Sequence, residues 1–99
     1  MHLPNKTFSD RVTLLEMLFE FESGSLSDYT RPLIDAMYEE LESDPDFMAI
    51  DEDDEEEGSA YVDEKLADHL MAAFKSFAVT DKKLYGINEA GQTLLMELR

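Results

Sequence analysis

The sequence predicts one α+β domain over residues 1–99, mostly helical: three helices, a short β-hairpin and a closing helix. Three observations carry this. Ninety-nine residues suffice for one core and not for two. A hydrophobic content of 43% is too high for a disordered polyacid. Apolar residues recur at helical spacing in three segments, with a strand-turn-strand pattern between Phe77 and Ile87.

The first helix carries Phe8, Val12, Leu15 and Phe19 at spacings of four, three and four, with Leu14, Leu18 and Phe21 widening the stripe. Ser9 or Thr7 is the expected cap, and Ser23-Gly24-Ser25 the expected stop. In the second helix Leu33, Met37 and Leu41 form one row, and Ile34 and Tyr38 an adjoining one. Pro32 fits only in its first turn, which points to Asp28 or Thr30 as cap. Ser43-Asp44-Pro45 ends it, because a residue before proline is pushed out of helical geometry.

An acidic loop is expected over residues 44–58, with Phe47, Met48 and Ile50 as its only large apolar residues. The third helix starts near Ser59, with Asp63 and Glu64 in its first turn and a core row of Val62, Leu66, Leu70 or His69, Ala73 and Phe77. Phe77-Ala78-Val79-Thr80 and Lys83-Leu84-Tyr85-Gly86-Ile87 flank Asp81-Lys82 as a hairpin. Asn88 is a good cap for a closing helix bearing Leu94, Leu95 and Leu98. This last stretch, residues 78–99, resembles the wing and closing helix of winged-helix domains. The resemblance implies a winged-helix-like packing, without the basic DNA-reading helix of that family: the corresponding helix here would carry Asp63, Glu64, Lys65, Asp68 and Lys75.

Charge is distributed very unevenly. Of 24 acidic residues, fifteen lie in residues 32–64, which contain no Lys or Arg, whereas residues 1–31 and 65–99 are nearly neutral. The formal charge of −16 is therefore local to the middle third. A body of this sign repels DNA, RNA and anionic membranes, so neither direct nucleic-acid nor membrane binding is expected. Basic proteins or cations are the partners it suits. The absence of cysteine excludes disulfides and Cys-ligated zinc sites. No apolar run approaches the roughly 20 residues of a spanning helix, and Met1-His2-Leu3-Pro4-Asn5-Lys6 lacks a signal peptide's apolar core. A soluble cytoplasmic protein is expected.

No catalytic constellation is present in the sequence, and a non-enzyme without cofactor is expected. The histidines are His2, near the terminus, and His69, one residue from the apolar row, which reads as a structural histidine. No nucleophile is paired with either. A calcium loop is approached by Asp53, Glu55, Glu57, Gly58 and Glu64, with Ser59 offering its carbonyl. Glu55 and Glu57 are a methylene longer than the usual ligands there.

Two readings of the acidic third remain. It solubilises the protein, or it imitates a nucleic-acid backbone for a partner built to grip phosphates. An extended run from Asp51 to Glu57 would repeat at about 3.3 Å, close to the roughly 3.4 Å per phosphate of one DNA strand. Asp63 and Glu64 at a helix start need no functional explanation. Glu39, Glu40 and Glu42 stand at the unfavourable end of the second helix, with Asp35 four residues before Glu39. The leading expectation is an acidic inhibitor that binds a basic nucleic-acid-binding protein or complex through Glu39, Glu40, Glu42, Asp44, Asp46, Asp51, Glu52, Asp53, Asp54, Glu55, Glu56 and Glu57. Phe47 and Met48 are possible apolar anchors. In size and charge the chain is similar to phage anti-defence proteins of the anti-CRISPR and anti-restriction type. The alternative is a winged-helix-like adaptor whose contacts lie on its neutral helices.

Overall fold

The computed structural model describes residues 5–98, so His2 lies outside the described residues. Asp10, rather than Ser9 or Thr7, caps the first helix. Its carboxylate accepts the backbone N–H of Thr13 at 2.9 Å and the Thr13 hydroxyl at 2.6 Å, satisfying a donor that the first turn leaves free. Strand β1 (Lys6–Phe8) precedes helix α1 (Arg11–Glu20), and a short strand β2 (Ser25–Leu26) follows the turn at Gly24. The row of α1 that enters the core is Leu14, Met17, Leu18 and Phe21. Of the expected stripe, Leu14, Leu18 and Phe21 are buried, but the row named first is not the core row: Phe8 belongs to β1, and Val12 and Phe19 are 68% and 67% exposed. Both rows have helical spacing, and spacing alone cannot say which one a sheet will cover.

Helix α2 (Thr30–Glu42) follows Tyr29, and neither Asp28 nor Thr30 caps it with a side chain as expected. Instead Ser27, one turn earlier, accepts the Thr30 N–H on its hydroxyl at 3.2 Å and the Arg31 N–H on its carbonyl at 3.0 Å, and Pro32 falls in the first turn as expected. The single loop expected over 44–58 is instead a short helix α3 (Pro45–Met48), a turn, and the start of helix α4 (Glu55–Ala73). Asp44 caps α3, with Pro45 immediately after it. Asp54 caps α4 by accepting the Glu57 N–H at 3.1 Å. The acidic run reads as a solvated loop only if its charge is considered alone. Glutamate is a good helix former, and three of them in a first turn favour the helix by interacting with its dipole. Gly58 thus lies inside a helix, and a methyl group added to it would meet nothing within 4 Å. Gly58→Ala should stabilise the fold by about 0.5–1 kcal/mol, seen as a Tm rise of ~3–6 °C.

The remaining elements are strands β3 (Ser76–Thr80), β4 (Lys83–Asn88) and β5 (Gly91–Glu97), in an antiparallel sheet ordered β1-β3-β4-β5-β2. The expected β3–β4 hairpin is present, its turn made by Asp81 and Lys82 at φ 52° and 60°, the left-handed pair that matches strand twist. The expected closing helix is β5. Asn88 does use its side chain on a nearby N–H, accepting from Ala90 at 2.9 Å, but it opens a hairpin loop, and Gly91 at φ 119° turns the chain back along β4. The same Asx chemistry serves a helix cap and a turn. The closing helix on which the winged-helix resemblance of residues 78–99 partly rested is thus a strand.

Register places Phe8 opposite Phe77 and Phe77 opposite Gly86, and Val79 opposite Leu84 and Leu84 opposite Met96. This face of the sheet receives Leu14, Met17, Leu18 and Phe21 of α1, Met37 and Leu41 of α2, and Leu66, Ala67 and Leu70 of α4. A register shift beside Leu84 lets consecutive residues Leu95 and Met96 both be buried. Over the described residues the fold is accordingly an α+β domain of four helices and a five-stranded antiparallel sheet. No helix among the described residues is long and apolar enough to cross a membrane.

Candidate protein-interaction surface

Helix α2 delivers Glu39, Glu40 and Glu42 to solvent in its last turn, where no basic residue accompanies them. That end of a helix dipole is negative, so each exposed carboxylate there is unfavourable by a few tenths of a kcal/mol, about the size of the usual terminal-charge effect. Relief by a lysine from another element is not provided. Among the described residues the ion pairs are Arg11–Asp68 at 3.3 Å and Lys75–Glu89 at 2.9 Å, and neither involves residues 32–64.

The other expected contact residues divide into those the fold uses and those it leaves free. Asp44 is used: its Oδ1 accepts the Asp46 N–H at 3.0 Å and its Oδ2 accepts the Tyr61 hydroxyl at 2.6 Å, tying α3 to α4. The Tyr61 hydrogen bond, assisted by the α3 N–H groups, holds the Asp44 carboxyl below its usual range against the opposing effect of partial burial. That same bond, with burial and the nearby acids, pushes Tyr61 up to about 12. Asp51 closes a turn on the Asp53 N–H at 3.0 Å, Asp54 is a helix cap, and Glu55, Glu56 and Glu57 fill the first turn of α4. Asp46, in the first turn of α3, is likewise favourably placed. Glu52 and Asp53 are exposed in the turn between α3 and α4.

The Asp51–Glu57 run is therefore bent and then helical, which removes the extended-chain match to phosphate spacing. The calcium loop fails for a related reason: Glu55 to Glu64 lie along one helix and cannot wrap an ion as a loop does. Among the described residues no group of three or more His, Asp or Glu side chains is arranged to hold a metal. Asp63 and Glu64, expected at a helix start, lie two turns inside α4, so their dipole explanation passes to Glu55, Glu56 and Glu57. His69 is half-buried on α4. Of the two apolar anchors, Met48 is 64% exposed, whereas Phe47 is half-buried against the Tyr61 ring, centroids 5.6 Å apart.

Tyr61→Phe tests the Asp44 contact through pH. A carboxyl held low in the fold stabilises above its ordinary pKa, and that contribution disappears as acid protonates it. A tyrosine held high stabilises below its ordinary pKa, and that contribution disappears as pH rises towards about 12. Tyr61→Phe should lower Tm across the intervening range, and its difference from the parent should close at both extremes, as followed by melting curves against pH.

A feature that charge counting missed is a groove of about 760 Å³ between α1 and the first half of α4. Leu15 and Phe19 line one side, and Ala60, Asp63 and Glu64 the other, with Glu22 at its edge. Arg11 meets Asp68 near the start of α1, and Glu22 faces Asp63 beyond its end, so the two helices run antiparallel. The signal was present in the sequence as two apolar rows on one ten-residue helix, since a core needs only one. Compared with known protein families, curated proteins and solved structures, the chain matches none.

Proposed function

We infer that the protein is an inhibitor that binds a basic, nucleic-acid-handling protein in the cytoplasm and occludes its nucleic-acid site with the acidic surface of α2, α3 and the α3–α4 turn. The observation that supports this most is the row Glu39, Glu40 and Glu42, exposed at the unfavourable end of α2 and ion-paired with no cation among the described residues. Charges that oppose their own helix are retained more readily if something outside the fold needs them. With Asp46, Glu52 and Asp53 they would pair with the Lys and Arg side chains that otherwise hold phosphates, giving fast, salt-sensitive association. Mimicry here means a negative surface of suitable size, not a copy of phosphate spacing. The compositional similarity to phage anti-defence inhibitors points the same way.

The second reading, a winged-helix-like adaptor with contacts on its near-neutral helices, is favoured by the exposure of Val12 and Phe19 on α1. Capture from a nuclease-treated lysate, followed by elution with a short DNA or RNA duplex, separates the two. Inhibition by mimicry predicts that the retained proteins are nucleic-acid binders and that the duplex releases them. Retention of proteins indifferent to the duplex would favour the adaptor.

A further inference from the structure

Helix α1 presents a second apolar row, Val12, Leu15 and Phe19, on the side away from the core row of Leu14, Met17, Leu18 and Phe21. At 100° per residue the two rows are separated by about 140° around the helix. A domain that buries one row does not need the other, and two of its three members are more than two-thirds exposed, at 68% and 67%. The neighbouring helix shows the complementary anomaly. Helix α4 has nineteen residues against ten in α1, and its first half has no fully buried residue, only Tyr61 and Val62 packed partly against the core. In the row that carries Ala67 and Leu70 further along, this half carries Ser59 and Asp63. Gly58, Ser59 and Ala60 leave its surface low. The result is the groove described above, with a hydrophobic wall on α1 and a shallow polar wall on α4.

Its charge specifies what can occupy it. Seven of the eleven residues lining the groove are carboxylates, and none is basic. Asp63 is raised above the usual carboxylate range, first by partial burial and then by the negative charge of Glu22. An ionised Asp63 is therefore unfavourable to the free fold, and no cation of the chain is paired with it among the described residues. An apolar side chain alone would leave this carboxylate buried and unrelieved, while a bare cation would leave Leu15 and Phe19 uncovered. A segment bearing both satisfies both walls. The groove is bounded by two helices and has no strand edge to extend, so the matching shape is a helix laid along it.

We propose that the α1–α4 groove binds a basic amphipathic helix of the partner protein, its apolar face on Leu15 and Phe19 and its flanking Lys or Arg side chains on Glu22, Asp63 and Glu64. This rests on the reading of the partner as a basic protein and adds an apolar, orientation-setting anchor to the charge surface. Binding energy would then come from the desolvated aromatic contact, with the acids supplying selection and rate.

Two synthetic eighteen-residue Lys/Leu peptides of identical composition provide the test. In one, the leucines recur at i, i+3, i+4 and i+7; in the other they are scattered around the helix. Titration should show the amphipathic peptide binding at least ~10-fold more tightly, because only it can place leucine and lysine together. Phe19→Ser and Asp63→Asn should each weaken it by roughly 5–10-fold. Glu89→Gln, in the loop between β4 and β5 and outside both the groove and the acidic surface, should leave it within about twofold. Asp63→Asn has a second readout: it should raise Tm at neutral pH while weakening binding, with the Tm gain vanishing in acid as the parent carboxyl is protonated. Equal affinity for both peptides, or indifference to Phe19→Ser, would overturn the groove and leave the charge-based inhibition standing. Groove binding without displacement of nucleic acid from a captured partner would reject that inhibition and leave the groove.

Discussion

Neutralising Glu39, Glu40, Glu42, Glu52 and Asp53 to their amides should weaken capture of the basic partner on the order of 100-fold at low salt without weakening the fold. The magnitude follows from five exposed charge pairs at about 0.2–1 kcal/mol each, with about 1.4 kcal/mol per tenfold in affinity. The difference should shrink as salt screens the pairs, since the Debye length falls to about 3 Å at 1 M. Stability should move in the opposite direction. Glu39, Glu40 and Glu42 oppose the dipole of α2, so their removal is worth roughly 0.5–1 kcal/mol in total, a Tm rise of ~3–6 °C. Residues kept for the fold do not behave this way. Asp44, Asp54 and Glu55 to Glu57 are excluded from the variant because they cap or favour α3 and α4, and their loss would confound binding with unfolding. Calorimetric titration and a melting curve on the same preparation check both halves.

The largest effect on stability is expected from Phe77→Ala. Phe77 is 0% exposed, stacks on Phe8 with ring centroids 5.6 Å apart and meets the edge of Phe74 at 6.2 Å. On the β4 side it stands opposite Gly86, which has no side chain to fill the space, and on the β1 side Phe8 loses the ring it stacks on. Truncation of a buried phenylalanine costs about 3–5 kcal/mol, against a total of about 5–15 kcal/mol for a domain of this kind. A Tm fall of more than ~12 °C is expected. Phe19→Ser, at a site 67% exposed, should change stability by no more than about 0.5 kcal/mol. Denaturant unfolding of the two variants would separate the aromatic that holds the sheet from the one proposed to meet a partner.

How much of this was legible in the sequence depended on whether the local signal had one meaning. Pro32 and Pro45 were read correctly because a proline's lost N–H and fixed φ restrict it wherever it falls. The Asp81-Lys82 hairpin was legible from β-rich flanks and a two-residue gap. Asn88 was not, because its side chain can accept an N–H at a helix start or in a turn, and Gly91 decided for the turn. Leu94, Leu95 and Leu98 fit a helix, yet a bulge in β5 buries consecutive residues and imitates that spacing. Strands β1 and β2, three and two residues long, are stabilised by partners distant in sequence and have no local signature. For the candidate site, composition located the charged third and the orientation of α2 explained its unfavourable end. Which carboxylates cap helices, and which apolar row of α1 faces outward, required the packing.

In the proposed inhibition, the acidic surface and a nucleic acid compete for one basic site. A competition titration tests it most directly: a captured partner is loaded with a labelled duplex and titrated with the parent protein and with the five-site neutralised variant. Full displacement by the parent at a stoichiometry that saturates is expected, and displacement on the order of 100-fold weaker by the variant at low salt. A partner that holds the protein and the duplex together, or is released equally well by the variant, would contradict it.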